Sequence, residues 1–379
     1  MAAADPNPPR AARLLALVVT MLFSALSLNL FNGSLPVYLA REGFSVGSVG
    51  LLVGVAFTPQ LIATPFVGPL VDRYGARLAI RIGSGLQLVA AALFLTGSAA
   101  VAIGTARVLQ GLGFALVLPA AYSVVPASVP PRFRGAALGV LGAFPNVALA
   151  IGPPIGIRLL QQSPTALFLA AVAAAAVGWL GSWLLGGARP RATRKRFFTY
   201  QHRWTPLFAV TFLSVAYFGV VIAYLPLHVP PAQVPAVGWF FSADALGVLA
   251  FRIPAGLLTD RYGARWLLLA GIGVTVVAVL LLLLPPSALL LVVAGIGTGA
   301  GAALLLPPIL VELAKRSDES NRGTAMALYT TSFAAAIGVG SLAAAPVVDH
   351  LGFDTALLLS ALACLLAVPL ALAATRQGR

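Results

Sequence analysis

Between residues 14 and 373 the chain alternates long apolar runs with short breaks of Gly, Pro and charged residues. The runs cover 14–40, 45–71, 78–99, 103–128, 135–160 and 164–186, then 204–229, 236–259, 266–284, 287–311, 323–348 and 354–373. A helix needs about 20 apolar residues to cross a ~30 Å hydrocarbon core, and each run is of that order. The pattern predicts an all-α membrane protein of twelve transmembrane helices. It divides into an N-terminal six-helix bundle at 1–186, a basic linker at 187–203 and a C-terminal six-helix bundle at 204–379.

The charged breaks set the orientation. Arg10 and Arg13 precede the first run, Arg73, Arg77 and Arg81 follow the second, and Arg132 and Arg134 follow the fourth. The same side receives the linker with Arg189, Arg191, Arg194, Lys195, Arg196 and Arg203, and then Arg261, Arg265, Lys315, Arg316, Arg322, Arg376 and Arg379. The opposite side has only Arg41 and Arg158. Cytoplasmic loops collect Lys and Arg, so both termini and the linker are expected in the cytoplasm. All basic residues except Lys195 and Lys315 are arginine and alanine is abundant, as coding in a GC-rich bacterial genome favours, so the expected location is a bacterial inner membrane. The first run is too long for a signal peptide and lacks a cleavage site, and is expected to be retained.

Composition narrows the classes further. Hydrophobic residues make up 60% and charged residues 9% of the 379, whereas a soluble domain carries about a quarter charged residues. A net charge of +14 would suit nucleic acid if it formed one basic face. Dispersed among loops, it reports topology, and no nucleic-acid partner is expected. The single cysteine, Cys364, excludes an internal disulfide and a cysteine metal cluster, and His202, His228 and His350 lack ligand spacing. The alternating Gly295, Gly297, Gly299 and Gly301 lie inside an apolar run rather than after a strand, and no Walker sequence is present. No cofactor and no enzymatic activity are expected.

The two halves are copies. At an offset of 188 residues, Gly68-Pro-Leu-Val-Asp-Arg-Tyr-Gly-Ala-Arg77 aligns with Gly256-Leu-Leu-Thr-Asp-Arg-Tyr-Gly-Ala-Arg265, matching at eight of ten positions. The same offset pairs Gly111 with Gly299, Gly113 with Gly301, Pro119 with Pro307, Arg134-Gly135 with Arg322-Gly323 and Gly152 with Gly340. Six helices, an even number, separate the copies, so the repeat is parallel about an axis normal to the membrane, and substrate belongs between the halves near the midplane.

These residues resemble the major facilitator superfamily over the whole chain. Gly68-x-Leu-x-Asp-Arg-x-Gly-x-Arg77 is similar to that family's signature between helices 2 and 3, and Arg107-Val-Leu-Gln-Gly-Leu-Gly113 to its signature on helix 4. Gly152-Pro153-Pro-Ile-Gly156 on helix 5 resembles its antiporter signature in part, with Ala148 where a glycine is expected. The resemblance implies a secondary transporter working by alternating access. It also implies that Asp72, with Arg73, Gly75 and Arg77, meets the start of helix 11 at Arg322-Gly323, where a carboxylate gains from the helix dipole. By the repeat, Asp260, with Arg261, Gly263 and Arg265, meets Arg134-Gly135. Rocking of the halves would break and remake both gates. Arg107 resembles the family arginine implicated in proton coupling.

Charges within spans are expensive and functional by default. Asp244, about 12 Å into its helix, is the acidic residue deepest in any span and the candidate for proton binding, with a structural partnership to Asn, Tyr or Arg as the alternative. Arg252 stands about two turns from the cytoplasmic end, where it can snorkel, with substrate contact as the alternative. Asn29 and Asn32 share a helix face, and with Gln110, Asn146, Tyr217 and Tyr224 they are candidate substrate contacts, packing being the other reading. The expected function is proton-coupled efflux of a neutral, lipophilic or cationic small molecule by a monomer embedded in the bilayer, with the proton gradient as energy source. Two alternatives are uptake of a small metabolite or organic anion held by Arg107 or Arg252, and a non-transporting receptor on the same scaffold.

Overall fold

The computed structural model describes residues 10–129, 134–185, 200–318 and 321–376. Most of the basic linker falls outside these residues. Among the described residues, twelve helical spans are long and apolar enough to cross a membrane, as the apolar runs predict. The first half contains α1 (Arg10–Asn29 and Ser34–Arg41), α2 (Val46–Gly54 and Thr58–Tyr74), α3 (Ala76–Leu93), α4 (Ala100–Ser128), α5 (Arg134–Gln162) and α6 (Pro164–Trp183). The second contains α7 (Thr205–His228), α8 (Val234–Tyr262), α9 (Ala264–Leu281), α10 (Ala288–Lys315), α11 (Arg322–Leu351) and α12 (Phe353–Arg376).

Two spans that read as continuous are broken. In α1 the helix stops at Asn29 and restarts at Ser34, with Gly33 at φ 81°. Side chains satisfy the polar groups around this break: Asn29 Nδ2 donates to Ala25 O at 2.8 Å, Asn32 Nδ2 to Asn29 Oδ1 at 2.8 Å, and Ser34 Oγ to Leu30 O at 2.6 Å. In α2 the break at 55–57 precedes Thr58-Pro59, a proline in a first helical turn where its missing N–H is tolerated. Helices α2, α6 and α10 begin at the arginine-poor end with capping serines, Ser45, Ser163 and Ser287, each accepting from a backbone N–H three residues on.

The 188-residue repeat survives in the packing. The α2–α3 turn holds Gly75 at φ 89°, ψ 147°, and the α8–α9 turn holds Gly263 at φ 80°, ψ 158°. Side chains avoid that region at a cost of about 1–3 kcal/mol, so Gly75→Ala or Gly263→Ala is expected to lower the melting temperature of the purified protein. Unchanged melting of both variants would show that the turns relax. Close helix seats repeat as well: a Cβ at Gly111 would meet the Ala56 carbonyl and one at Gly299 the Asp244 carbonyl, while Gly113 packs on Gly83 and Gly301 on Gly271. Each pair of partners is again 188 residues apart. Helix α1 packs on α5 and α6 as α7 packs on α11 and α12, and α2 packs on α4 as α8 packs on α10.

The halves meet along two seams, α5 against α8 and α2 against α11. Large apolar side chains such as Val101, Leu289 and Ile253, 82%, 75% and 74% exposed, cover the outside, a surface suited to lipid tails. Exposed Tyr74, Trp183, Tyr262 and Trp266 gather at the arginine-rich end, where aromatic rings anchor a helix at the interface.

Candidate functional site: the seams and two buried charges

Polar groups link the halves at three described places. Gly47 N donates to Asp349 Oδ1 at 2.8 Å, Ser341 Oγ to Gly50 O at 2.9 Å, and Ser242 Oγ to Ala150 O at 2.5 Å. All three lie between the arginine-poor end and the midplane, so the halves are joined there. Tyr224 belongs to this joint: it is buried, its hydroxyl donates to Ser341 O at 3.0 Å, and it fills the space left by Gly50 on α2.

The third link follows from the proline segment. Pro154 has no N–H, so the Ala150 carbonyl one turn earlier has no helical donor, and Ser242 of α8 supplies one. Gly152 and Gly156 bring α5 against the broken part of α1, since a Cβ at either would collide with backbone at Asn29 or Leu30. A Cβ at Gly33, at the break, would meet Ile157 of α5 and Phe241 of α8. The segment Gly152-Pro153-Pro154-Ile155-Gly156 therefore sits where α1, α5 and α8 converge.

At the arginine-rich end Gly75 and Gly263 shape matching turns, and Arg73 and Arg261 lie over the rings of Tyr74 and Tyr262 at 5.1 and 5.3 Å. Arg265 lies 6.0 Å from the Trp266 ring. Asp260 is exposed. Asp72, Arg134, Gly135, Arg322 and Gly323 lie outside the residues whose surroundings are described.

Besides the paired Glu312 and Arg316 at the arginine-rich end of α10, two charged side chains are enclosed deep in the spans among the described residues, one in each half, on corresponding seats. Arg107 of α4 is 1% exposed; its Nη1 donates to Gln110 Oε1 at 2.9 Å and its Nη2 to Val53 O of α2 at 2.9 Å. No hydrogen bond reaches its Nε or the Gln110 Nε2. Asp244 of α8 is 4% exposed and accepts from Thr298 Oγ1 of α10 at 2.7 Å. Thr298 is the repeat partner of Gln110, so both charges occupy the seat between the second and fourth helices of their half. Tyr217 of α7, buried, lies beside Thr298 and Asp244.

Helix rotation decides which α8 residues face the seam. Asp244 is two residues from Ser242, about 200° around the helix, and so faces α10 while Ser242 faces α5. Arg252 lies on the seam side. Its Nη2 and Nη1 stand 3.6 and 3.7 Å from the point where a Gly142 Cβ would sit, and Tyr122 Oη stands 2.8 Å from the same point. The guanidinium stands across the seam against Gly142, and α8 runs on to Tyr262, ten residues or about 15 Å further. Asn146, one turn along α5, donates to Gly142 O at 3.4 Å. Of the residues named in advance, Arg107 and Gln110 come together, Asn29 and Asn32 come together, and Tyr217 meets Asp244.

Sequence reasoning missed Thr298, Ser242, Asp349 and the tyrosines at 122 and 329. The 188-residue offset from Gln110 could have found Thr298, and the Asn32-Gly33 pair, a turn signal, could have found the break in α1. Nothing local marks the others.

Twelve membrane-spanning helices in two repeated halves, joined along polar seams with enclosed charges beside them, define a membrane transporter. The chain belongs to the Major Facilitator Superfamily: that family's model matches residues 17–232 and 207–378. Quinolone resistance protein NorA of Staphylococcus aureus is 31% identical over 131 residues, 35% of this chain and 34% of that protein. The uncharacterized MFS-type transporter YhhS of Salmonella enteritidis is 32% identical over 150 residues, 37% of this chain and 36% of that protein. The chain thus spans about a third of the length of these curated relatives. Among solved structures, the nucleoside transporter NupG superposes with a TM-score of 0.74 at 14% identity, covering 96% of this chain and 98% of that one. A bacterial homolog of the human lysosomal transporter Spinster, in an inward-facing and occupied conformation, gives 0.74 at 14% identity, covering 98% of each chain. At that identity both share the fold alone.

Proposed function

We propose that this transporter is a proton-coupled exporter of lipophilic organic compounds, a monomer working by alternating access in a bacterial inner membrane with both termini in the cytoplasm. The observation that carries the coupling is the Thr298 hydroxyl, 2.7 Å from Asp244 Oδ1 and 2.9 Å from the Gly295 carbonyl. A hydroxyl has one proton to donate. With Asp244 ionised, Thr298 donates to the carboxylate. With Asp244 protonated, the carboxyl donates to Thr298, which turns its own proton to Gly295 O. Either state leaves the group hydrogen-bonded, so a proton is taken up or released without stranding a buried polar atom, an event that costs about 1–3 kcal/mol. The same helix carries Ser242 on its opposite face, bonded to α5 of the other half. Protonation on one face of α8 thereby bears on the seam at the other.

With the arginine-rich end in the cytoplasm, the three described links between halves lie toward the outside, which supports an inward-facing arrangement. Exposed Asp260 suits a cytoplasmic gate standing open. Export is supported by the partial likeness to NorA, whose name is that of a quinolone resistance protein, and by the antiporter-like segment at the convergence of α1, α5 and α8. The test is a mass-spectrometric panel of metabolites and toxic compounds in cells expressing the wild type or Asp72→Asn. Lower internal levels of some compounds in wild-type cells are expected; higher levels would make the protein an importer. A cysteine at position 194 is expected to resist impermeant labels from outside intact cells, and its labelling would invert the topology.

A further inference from the structure

We propose that Arg252, with the hydroxyls of Tyr122 and Tyr329, forms the seat for an anionic group, a carboxylate or comparable oxyanion, on the compound carried between the halves. For its cargo the assignment rests on the transport reading above. Arg252 comes from α8 and Tyr329 from α11 of the second half, while Tyr122 comes from α4 and Gly142 from α5 of the first, so the group straddles the α5–α8 seam. The charge of Arg252 acts on both tyrosines.

Among the described residues the cation has no counter-ion. Arg252 makes no hydrogen bond or ion pair with any described residue. Asp244, the other charged residue in the body of α8, accepts from Thr298 of α10 and stands eight residues, or about 12 Å, along the helix from Arg252. A cation within a span costs on the order of 2.5–3.5 kcal/mol on insertion scales, and no pairing with a described residue offsets that. Tyr329 adds a second unmet need: it is 6% exposed and its hydroxyl has no partner. A half-buried cation facing the seam and a buried hydroxyl without a partner describe a site that can take an acceptor.

The geometry suits an oxyanion. Both terminal nitrogens of Arg252 and the Tyr122 hydroxyl gather against the side-chain-less face of Gly142, and the guanidinium is a planar fork of donors of the kind that grips two oxygens at once. Any side chain at 142 would fill that face. Asn146 lies one turn away on the same helix side. Arginine rather than lysine suits this task because its fork is rigid and remains charged. On this proposal the cargo carries an anionic group, and Asp244, the carboxylate that would attract a cation, stands inside the second half rather than at the seam.

The test is equilibrium binding to the purified full-length protein in nanodiscs, using aromatic carboxylates and their isosteric primary amides as probes. Wild type is expected to prefer each carboxylate by about tenfold or more, as a charge-assisted bond allows. Arg252→Gln should erase the preference, Arg252→Lys should keep part of it, and Tyr329→Phe should weaken carboxylate binding while leaving amide binding unchanged. A preference that survives Arg252→Gln, equal binding of both probes to wild type, or no binding of either would overturn the assignment. The measurement is made in phosphatidylcholine discs and repeated with phosphatidylglycerol; carboxylate binding lost on adding that lipid would give the seat to a headgroup and overturn the cargo reading. Because binding rather than transport is read, export can fail while the anion seat stands. Conversely, a panel that exports only neutral or cationic compounds would leave export intact and sink the seat.

Discussion

Asp244→Asn is expected to collapse proton-driven transport while leaving the protein folded and inserted. Each proton moved down one unit of pH gradient supplies about 1.4 kcal/mol, a tenfold concentration ratio, and a membrane potential adds about 2.3 kcal/mol per 100 mV for each net charge moved. A cycle that loses its proton loses that ratio, so in reconstituted vesicles under a one-unit gradient a tenfold wild-type accumulation should fall to equal concentrations. Asn keeps the shape and still accepts from Thr298, now 2.7 Å from Asp244 Oδ1, so the seat of α8 on α10 should persist. Exchange of substrate across the membrane without a gradient should therefore continue, and the pH dependence of the wild type should be lost. Gradient-driven accumulation at the wild-type level in the variant would remove Asp244 from the mechanism.

The second large effect is expected at Gly156. A Cβ there would run into the carbonyl of Leu30, backbone that can yield only if the break in α1 shifts. Overpacking of this kind costs about 1–3 kcal/mol, and here it displaces the region where α1, α5 and α8 converge. Gly156→Val should lower the melting temperature and bring transport to background. Gly139→Val serves as the comparison on the same helix, since a Cβ at Gly139 would meet nothing within 4 Å. Wild-type transport by Gly156→Val, or equal loss in both variants, would show that the close approach at Leu30 is not required.

Much of this was legible in the chain because local chemistry carries it. The length of each apolar run sets a crossing, and the recurrence of Gly68–Arg77 at Gly256–Arg265 sets the repeat. Gly75 and Gly263 adopt a conformation that only glycine takes freely, so sequence and turn coincide. Of the candidate site, the pairing of Arg107 with Gln110 could be anticipated, being one helical turn apart. That Arg107 also bonds Val53 of α2 could not, because the partner is set by how two helices lean together.

Rotation is the reason the rest was hidden. A span apolar on all sides has little of the stripe that tells which face is buried, since lipid and protein interior are alike to Leu and Val. The sequence by itself determined twelve crossings, two copies and the glycine turns, because length, composition and backbone freedom are properties of a segment alone. Only the tertiary structure decided that Asp244 faces α10 while Arg252 faces Gly142, that Ser242 meets the carbonyl left free by Pro154, and that Asp349 meets Gly47, 302 residues away. Those contacts join segments distant in the chain, and they are fixed by packing, in which each helix settles its rotation against neighbours the local sequence does not name.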